Sequence, residues 1–257
     1  MSHLICNTTS KRYHRWLLRV HSKRASNGVT EQQEVESITY AALALIPILV
    51  LMAWLYTRDR IHPEPKQAVF RLFLLGAGIV LPAGLLERAM LGGRTELGAG
   101  WQGSILTGFF IAGLVEEFLK AAIVERGAIS RGLVAEPLDC LIYSGATALG
   151  FAAVENVLYV TSSGFNTAVL RSVTAVPAHL MFGIIMGHFF ARSIWNSGNR
   201  ALAYIAPAGA HGIYDSFALS STLWADACLV VYLLALVEVC LHILDRYRSS
   251  TLRTVRV

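Results

Sequence analysis

Long apolar stretches alternate with short polar segments along most of this 257-residue chain. Seven apolar runs, each of roughly 20 residues, cover residues 38–56, 68–86, 101–124, 138–160, 173–194, 201–219 and 223–244. About 20 apolar residues in a helix cross a bilayer, and in lipid such a run must be helical to satisfy its own backbone polar groups. The pattern therefore predicts an all-α fold, a polytopic transmembrane helix bundle with about seven membrane helices and a range of six to eight.

The composition supports a membrane protein and excludes two other classes. Hydrophobic residues make up 54% of the chain, charged residues only 15%, and the mean hydropathy is +0.52. A soluble domain carries about 25% charged residues, and a disordered chain is far less apolar. The net charge of +5 comes mostly from tails and loops, which is typical of a protein beside anionic lipid. We therefore expect a multi-pass membrane protein embedded in a lipid bilayer, with no nucleic acid as a partner.

Polarity divides the chain into three parts. Residues 1–37 form a basic polar N-terminal extension, residues 38–245 the transmembrane domain, and residues 246–257 a basic C-terminal tail. The four cysteines are far apart and form no CxxC pair. The spacing therefore predicts neither a disulfide framework nor a thiolate metal site.

Several ionisable residues interrupt the apolar runs, although each costs roughly 2.5–3.5 kcal/mol at the centre of a membrane helix. The third run contains Glu116, Glu117 and Lys120. Glu116 and Lys120 share a helix face at i,i+4, so a structural ion pair is one interpretation. That pair does not need the second, adjacent carboxylate. The pattern therefore favours a buried carboxylate suited to general-base catalysis.

The fourth run carries two acidic residues with different interpretations. Asp139 lies near its start, where a carboxylate caps a helix or faces its dipole. Glu155, followed by Asn156, lies too deep for such a role, which favours a function. The small residues Gly145 and Gly150 between them predict the close approach of another helix.

The last three runs supply imidazole groups. His179 shares a face with Gly183, so it is expected to face another helix, whereas His188 near the helix end is interpreted as an interface residue. His211 and Asp215 are i,i+4 neighbours. In such a pair the carboxylate orients the imidazole, or both groups bind one metal ion.

Acidic and imidazole groups on separate membrane helices can meet only inside the bundle, so the sequence predicts one polar cavity. The cavity could activate water through a carboxylate directly, or through a zinc ion held by His179, His211 and a carboxylate such as Glu155 or Asp215. The GxSxG, HExxH and GxxxxGK[ST] motifs do not occur. A proton-coupled transporter is an alternative because buried Glu, His and Asp chains also relay protons. Against it, no inverted repeat is visible in the sequence.

The order of these motifs resembles the PrsW family of intramembrane proteases over about residues 40–244. The resemblance rests on Glu116-Glu117-x-x-Lys120, Phe151-x-x-x-Glu155-Asn156, His179 and His211-x-x-Tyr214-Asp215, together with the acidic, proline-containing loop at 58–65. It implies a polytopic protease of the bacterial cytoplasmic membrane that cuts a membrane-anchored protein, as family members cut an anti-sigma factor. A distant similarity extends to the CAAX prenyl endopeptidases. A catalytically inactive scaffold of the same fold is a further alternative.

The resemblance also implies residue roles. It makes Glu116 or Glu117 the general base without deciding between them; we expect Glu116, with Glu117 as the neighbour that orients the site. Glu155, His179 and His211 would hold water or metal, and Asp215 would orient His211 or complete a ligand set of Glu155, His179, His211 and Asp215. Lys120 and Asn156 would support the site, and Arg171 and Tyr143 are weaker candidates. Zinc-dependent and metal-free glutamate mechanisms both remain open, and the sequence predicts no oligomeric state.

Overall fold

The computed structural model describes residues 38–42, 44–59, 62–94, 97–98, 100–220 and 222–254. Across those residues the chain is built from helices and contains no strand. The expected all-α fold is therefore confirmed for the described part of the chain. The predicted N-terminal extension, residues 1–37, lies outside the described residues.

The helices follow the apolar runs closely. They are α1 (Ile38–Tyr56), α2 (Lys66–Gly78), α3 (Val80–Leu91), α4 (Gly100–Leu106), a π-helix (Thr107–Gly113), α5 (Leu114–Gly127), a 3₁₀ turn (Ile129–Arg131), α6 (Pro137–Ser163), α7 (Phe165–Val173), α8 (Ala175–Trp195), α9 (Leu202–Leu219) and α10 (Leu223–Thr254). Each of the seven runs lies within helical structure. In lipid, a helix satisfies its backbone hydrogen bonds within one segment, whereas strands must close into a barrel to do so.

Five helical segments are long and apolar enough to cross a membrane: Ile38–Tyr56, Lys66–Leu91, Pro137–Ser163, Phe165–Trp195 and Leu223–Arg248. The runs at 101–124 and 201–219 are helical but are not among these five. The first of them is divided between α4, the π-helix and α5 and carries three charged residues. The chain is thus a multi-pass membrane protein, and a total of about seven spans stays a prediction.

Three helix boundaries differ from the apolar runs. The second run divides at Ile79 into α2 and α3, and residues 165–173 form the separate helix α7 before α8. At the other end, α10 extends through the start of the predicted basic tail to Thr254. No proline or glycine lies between residues 244 and 254 to end it.

Helix α6 forms the centre of the bundle. In its most apolar window 89% of the residues are buried, against 18% for α1 and 17% for α10. Helices α2 and α8 pack along α6, whereas α1 and α10 lie at the outside. The outer surface exposes large apolar side chains, among them Leu49, Leu81 and Val231, as expected of a face that contacts lipid.

Glycines allow the central helices to touch through their backbones. A Cβ atom at Gly150 of α6 would collide with the carbonyl oxygen of Phe73 on α2, and one at Gly187 of α8 would lie 2.5 Å from the carbonyl oxygen of Cys140 on α6. Membrane helices associate largely by such close packing of small residues. The prediction that small residues in the fourth run admit a neighbouring helix is therefore confirmed.

We expect Gly76→Ala to destabilise the protein by about 1–3 kcal/mol, the usual cost of overpacking a tight core. The added Cβ would collide with the carbonyl oxygen of Thr147 on α6. Gly78→Ala on the same helix is the matched control, because nothing lies within 4 Å of its Cβ position. Alanine in a helix is favoured over glycine by up to about 1 kcal/mol, so the control should be neutral or stabilising. Thermal unfolding in detergent measures both, and equal stabilities would contradict this packing.

Candidate active site

The paired glutamates begin α5 directly after the π-helix. Two glycines bring this segment against α9: a Cβ at Gly113 would lie 2.7 Å from a backbone oxygen of α9, and one at Gly212 would lie 2.6 Å from an aromatic ring of the π-helix. Because the backbones are in contact, the first turn of α5, with Glu116 and Glu117, lies beside His211. Such π-helical turns occur frequently at functional sites.

Lys120 joins the two glutamates to a histidine on another helix. Its ammonium donates to Glu116 Oε2 at 3.0 Å and to Glu117 Oε1 at 2.8 Å. Its third contact is His179 Nδ1, at 3.1 Å. The side chain has no exposed surface, and its Nζ lies 3.9 Å from the ring centroid of Phe151. All three N–H donors of this buried cation therefore have acceptors.

The contact with Lys120 fixes the tautomer of His179. An ammonium group can only donate, so Nδ1 must accept and the ring proton must be on Nε2. That nitrogen lies 2.7 Å from Glu155 Oε2. The same carboxylate oxygen lies 3.1 Å from Arg171 Nη2. Glu155 thus orients the imidazole of His179, and Arg171 offsets the charge of Glu155.

His211 lies between carboxylates on both sides of its ring. Its Nδ1 is 3.0 Å from Glu117 Oε1 and 3.8 Å from Glu116 Oε2, and its Nε2 is 3.4 Å from Asp215 Oδ2. The ring stacks on Phe182 with centroids 4.8 Å apart. A neutral imidazole presents a lone pair to one of these sides, where it would meet another acceptor. The arrangement therefore needs one more proton, on the ring or on a neighbouring carboxyl group, or a bound cation.

The charges around the two imidazoles support the same conclusion. Four carboxyl groups contact the rings, and the cationic side chains that pair with them are those of Lys120 and Arg171. Buried carboxylates are costly unless a proton or a cation offsets each charge. Protonation of His211 or a bound metal ion would reduce the remaining negative charge.

The donor set fits a zinc ion in its chemistry. One ligand atom from each of Glu116, Glu117, His179 and His211 lies within 4.8 Å of the others, and all four residues are buried. Carboxylate oxygen and imidazole nitrogen are ligands that zinc accepts. Lys120 contacts three of these four residues, so its ammonium competes with a metal ion for the same donors.

This cluster differs from the ligand set expected from the sequence. Of the predicted Glu155, His179, His211 and Asp215, only the two histidines belong to it, and they are joined by Glu116 and Glu117. Glu155 instead contacts Nε2 of His179, and Asp215 contacts Nε2 of His211. A carboxylate in that position orients a metal-binding or catalytic histidine. The i,i+4 spacing of His211 and Asp215 thus brings them together, with His211 Nε2 3.4 Å from Asp215 Oδ2.

The other predicted residues lie further out. Asn156 donates to the carbonyl oxygen of Ala44 at 2.9 Å and accepts from Arg171 Nε at 3.1 Å, so it positions the arginine that pairs with Glu155. Asp139 caps α6 by accepting two backbone N–H bonds, at 2.7 and 2.8 Å, which confirms its interpretation as a cap. His188 contacts Tyr247 near the helix ends, 2.9 Å away.

Sequence reasoning missed Glu87, on α3. Its carboxyl group interacts electrostatically with Glu155, His211 and Lys120. One of its oxygens is buried and has no hydrogen-bond partner among the described residues. The sequence contains one signal for it: Glu87 directly follows Leu86, the last residue of the predicted run. Glu87 adds a further carboxyl group at the α3 side of the cluster.

Tyr143 belongs to a second polar cluster, in the loop region between α1 and α2. Its hydroxyl donates to Glu64, and the hydroxyl of Tyr56 donates to the Glu64 backbone oxygen at 2.9 Å. Burial, with the neighbouring carboxylates of Asp139 and Asp59, raises the pKa of Glu64 to about 8. Tyr143 therefore acts away from the imidazoles and anchors this loop to α6.

The raised pKa predicts that stability depends on pH. Because Glu64 binds its proton more tightly in the folded state, its contribution is fully present below pH 4.5 and is lost as the pH rises through about 8. We expect the unfolding temperature to fall between pH 5 and pH 8, and Glu64→Gln, which mimics the protonated acid, to flatten that dependence. Unfolding scans at several pH values measure it. An unchanged slope in the variant would contradict the assignment.

The fold and this cluster define a class of protein: a multi-pass membrane protein with glutamates and histidines gathered inside its helix bundle. Comparison with known proteins makes the class specific. The family model of the PrsW family intramembrane metalloprotease matches residues 64–242. Protease PrsW of Clostridioides difficile is 35% identical over 219 residues, covering 81% of this chain and 91% of that protein. Protease PrsW of Oceanobacillus iheyensis is 31% identical over 84% of this chain and 98% of that protein.

The chain belongs to the PrsW family of intramembrane metalloproteases. Protease PrsW of Bacillus subtilis is a further relative, 28% identical over 70% of this chain and 83% of that protein. No solved structure gives a significant match to the chain. The family resemblance expected from the motifs is thus confirmed, and the chain is an intramembrane protease.

Proposed function

We propose that this protease hydrolyses a peptide bond of a membrane-anchored protein at the cluster of Glu116, Glu117, Lys120, His179 and His211. One observation carries the proposal: residues from α5, α8 and α9 meet in a buried network. His211 contacts Glu117, His179 contacts Lys120, and a further carboxylate lies at the other nitrogen of each ring. A structural role needs only one ion pair, whereas peptide hydrolysis uses a general base, a proton donor and charge stabilisation together.

Glu116 is the proposed general base. The exposed fractions and the contacts of the two glutamates support this choice. Glu116 is 6% exposed, whereas Glu117 is fully buried and contacts Lys120 and His211. Glu116 would take a proton from water, and Glu117 would hold His211 in place. A protonated His211 would pass its proton to the leaving amide nitrogen. The ammonium of Lys120, bonded to both glutamates, would keep a positive charge beside the reacting groups.

A zinc ion would be held by His179 and His211 with Glu116 or Glu117. When bound, zinc supplies Lewis-acid activation of water and of the scissile carbonyl. Glu155 and Asp215 would then fix the orientation of the two imidazole ligands, the usual role of a carboxylate behind a metal-bound histidine.

The proposed substrate is a membrane-anchored regulatory protein of the anti-sigma-factor type. The family resemblance supports this class, and a site buried within a membrane bundle suits a substrate that lies in the same bilayer. Co-reconstitution of the purified protease with such a protein in liposomes tests the proposal. Two fragments of the substrate are expected. Proton flux across the liposome membrane without fragments would instead support a transporter and overturn the proposal.

Metal content tests the zinc assignment separately. If the histidines are ligands, elemental analysis of the purified protein should find about one zinc ion per chain, the stoichiometry of a single catalytic site. His179→Ala and His211→Ala should lose that zinc. His242→Ala, an exposed histidine on α10, is the matched control and should retain it. A wild-type protein that cleaves without zinc would overturn the metal assignment and leave the glutamate mechanism.

A further inference from the structure

A polar cavity lies where α6 begins and where α8 and α10 approach their ends. Its volume is about 390 Å³. It is lined by Pro137, His188, Arg192, Asn196, Arg246 and Tyr247. The proposed hydrolysis uses none of these residues.

The lining offers hydrogen-bond donors and positive charge. Arg192 and Arg246 contribute two guanidinium groups, Asn196 an amide and His188 an imidazole held by Tyr247 at 2.9 Å. Of the described residues that line the cavity, none is acidic. Within the described part of the chain, neither arginine forms an ion pair.

Two unneutralised guanidinium groups at one cavity favour an anionic ligand. Both arginines act electrostatically on His188, so the positive charges are close to the same imidazole. The planar fork of guanidinium donors matches phosphate oxygens in geometry and charge. The ligand chemistry that fits the cavity is therefore a phosphate group.

An apolar groove follows the same helix faces toward the interior of the membrane. It has a volume of about 240 Å³ between α1, α8 and α10, and its lining includes Ile184 and Cys240. On α8, Ile184 is one helical turn from His188, and on α10, Cys240 is two turns from Tyr247, so both helices present the groove and the cavity on similar faces. A basic cavity and an apolar groove on the same faces of α8 and α10 match an amphiphile better than a free ion.

We propose that the cavity and the groove together bind one anionic phospholipid, with its phosphate between Arg192 and Arg246 and an acyl chain along the groove. Basic pockets between membrane helices bind acidic lipid headgroups in this way. The lipid would join α6, α8 and α10, of which α8 carries His179. The site is independent of the proposed hydrolysis, because it uses none of the catalytic residues.

Native mass spectrometry of the full-length protein in a mild detergent tests the proposal. The probes are dioleoyl phosphatidylglycerol, dioleoyl phosphatidylcholine and inorganic phosphate. The wild-type protein should retain one phosphatidylglycerol with at least about tenfold preference over phosphatidylcholine, and the Arg192→Gln/Arg246→Gln double variant should lose that preference. The Arg126→Gln/Arg131→Gln double variant removes the same charge from the end of α5 and the 3₁₀ turn that follows it, and should behave as wild type.

Two outcomes would overturn the lipid site. If the Arg192→Gln/Arg246→Gln variant retains phosphatidylglycerol as the wild type does, the arginines do not form the site. If inorganic phosphate binds with no lipid preference, the cavity is a simple anion site. An unfolding temperature of the lipid-free variant equal to that of the wild type shows that a loss of binding does not come from a loss of fold.

Discussion

Replacement of Glu116 by glutamine is expected to reduce cleavage of a membrane-anchored substrate by about 10²–10⁴-fold, the usual contribution of a general base. Glutamine keeps the size of the side chain and a hydrogen bond to Lys120 but cannot take a proton from water. The variant should therefore fold and enter the membrane normally. Product formation in liposomes, compared at equal protein content, measures the loss.

Glu125→Gln is the matched control for this substitution. Glu125 is on the same helix, but its carboxylate pairs with Arg200 at 3.2 Å, outside the cluster. We expect this variant to cleave at the wild-type rate. Glu117→Gln should also impair cleavage, because Glu117 holds both Lys120 and His211. If Glu116→Gln and Glu117→Gln both cleaved as fast as Glu125→Gln, the cluster would not be the catalytic site.

Replacement of Lys120 by methionine is expected to destabilise the protein by about 3–5 kcal/mol, the cost of removing one partner of a buried ion pair. The ammonium is fully buried and contacts Glu116, Glu117 and His179. Methionine fills a similar volume but leaves two neighbouring carboxylates without their cation. Thermal or chemical unfolding in detergent measures the change.

Two further variants make this result specific. Lys66→Met removes an exposed lysine at the start of α2 and should change stability by less than about 0.5 kcal/mol. The Glu117→Gln/Lys120→Met double variant should recover part of the lost stability, because one of the two uncompensated charges is gone. If Lys120→Met were as stable as Lys66→Met, Lys120 would not be the cation that balances the buried glutamates.

The sequence predicts most of the fold because membrane helices follow a simple physical rule. Apolar runs of about 20 residues form helices in lipid, and all seven runs lie in helices. The i,i+4 spacing also predicts two contacts that the structure contains, between Lys120 and Glu116 and between His211 and Asp215. The cost of burying charge in lipid also predicts that acidic and imidazole groups meet inside the bundle, and Glu117 and His211 do so.

The three-dimensional roles could not be predicted from spacing alone. The sequence does not reveal that Lys120 reaches across to His179 on α8, or that Glu155 and Asp215 contact Nε2 of the two imidazoles. Those contacts depend on helix rotation and on the π-helix before α5, which an apolar pattern does not encode. Glu87 was missed because α3 extends beyond the end of the apolar run.

Labelling with ¹⁸O-water tests the central claim most directly. The wild-type protease, reconstituted with a membrane-anchored substrate in ¹⁸O-water, should yield a fragment whose new carboxyl terminus carries one ¹⁸O atom, since hydrolysis adds one oxygen from water. Mass spectrometry of the fragments detects this label, and Glu116→Gln should produce almost no labelled fragment. A substrate that stays intact with the wild-type protein, or a labelled fragment formed equally well by Glu116→Gln, would contradict hydrolysis at this cluster.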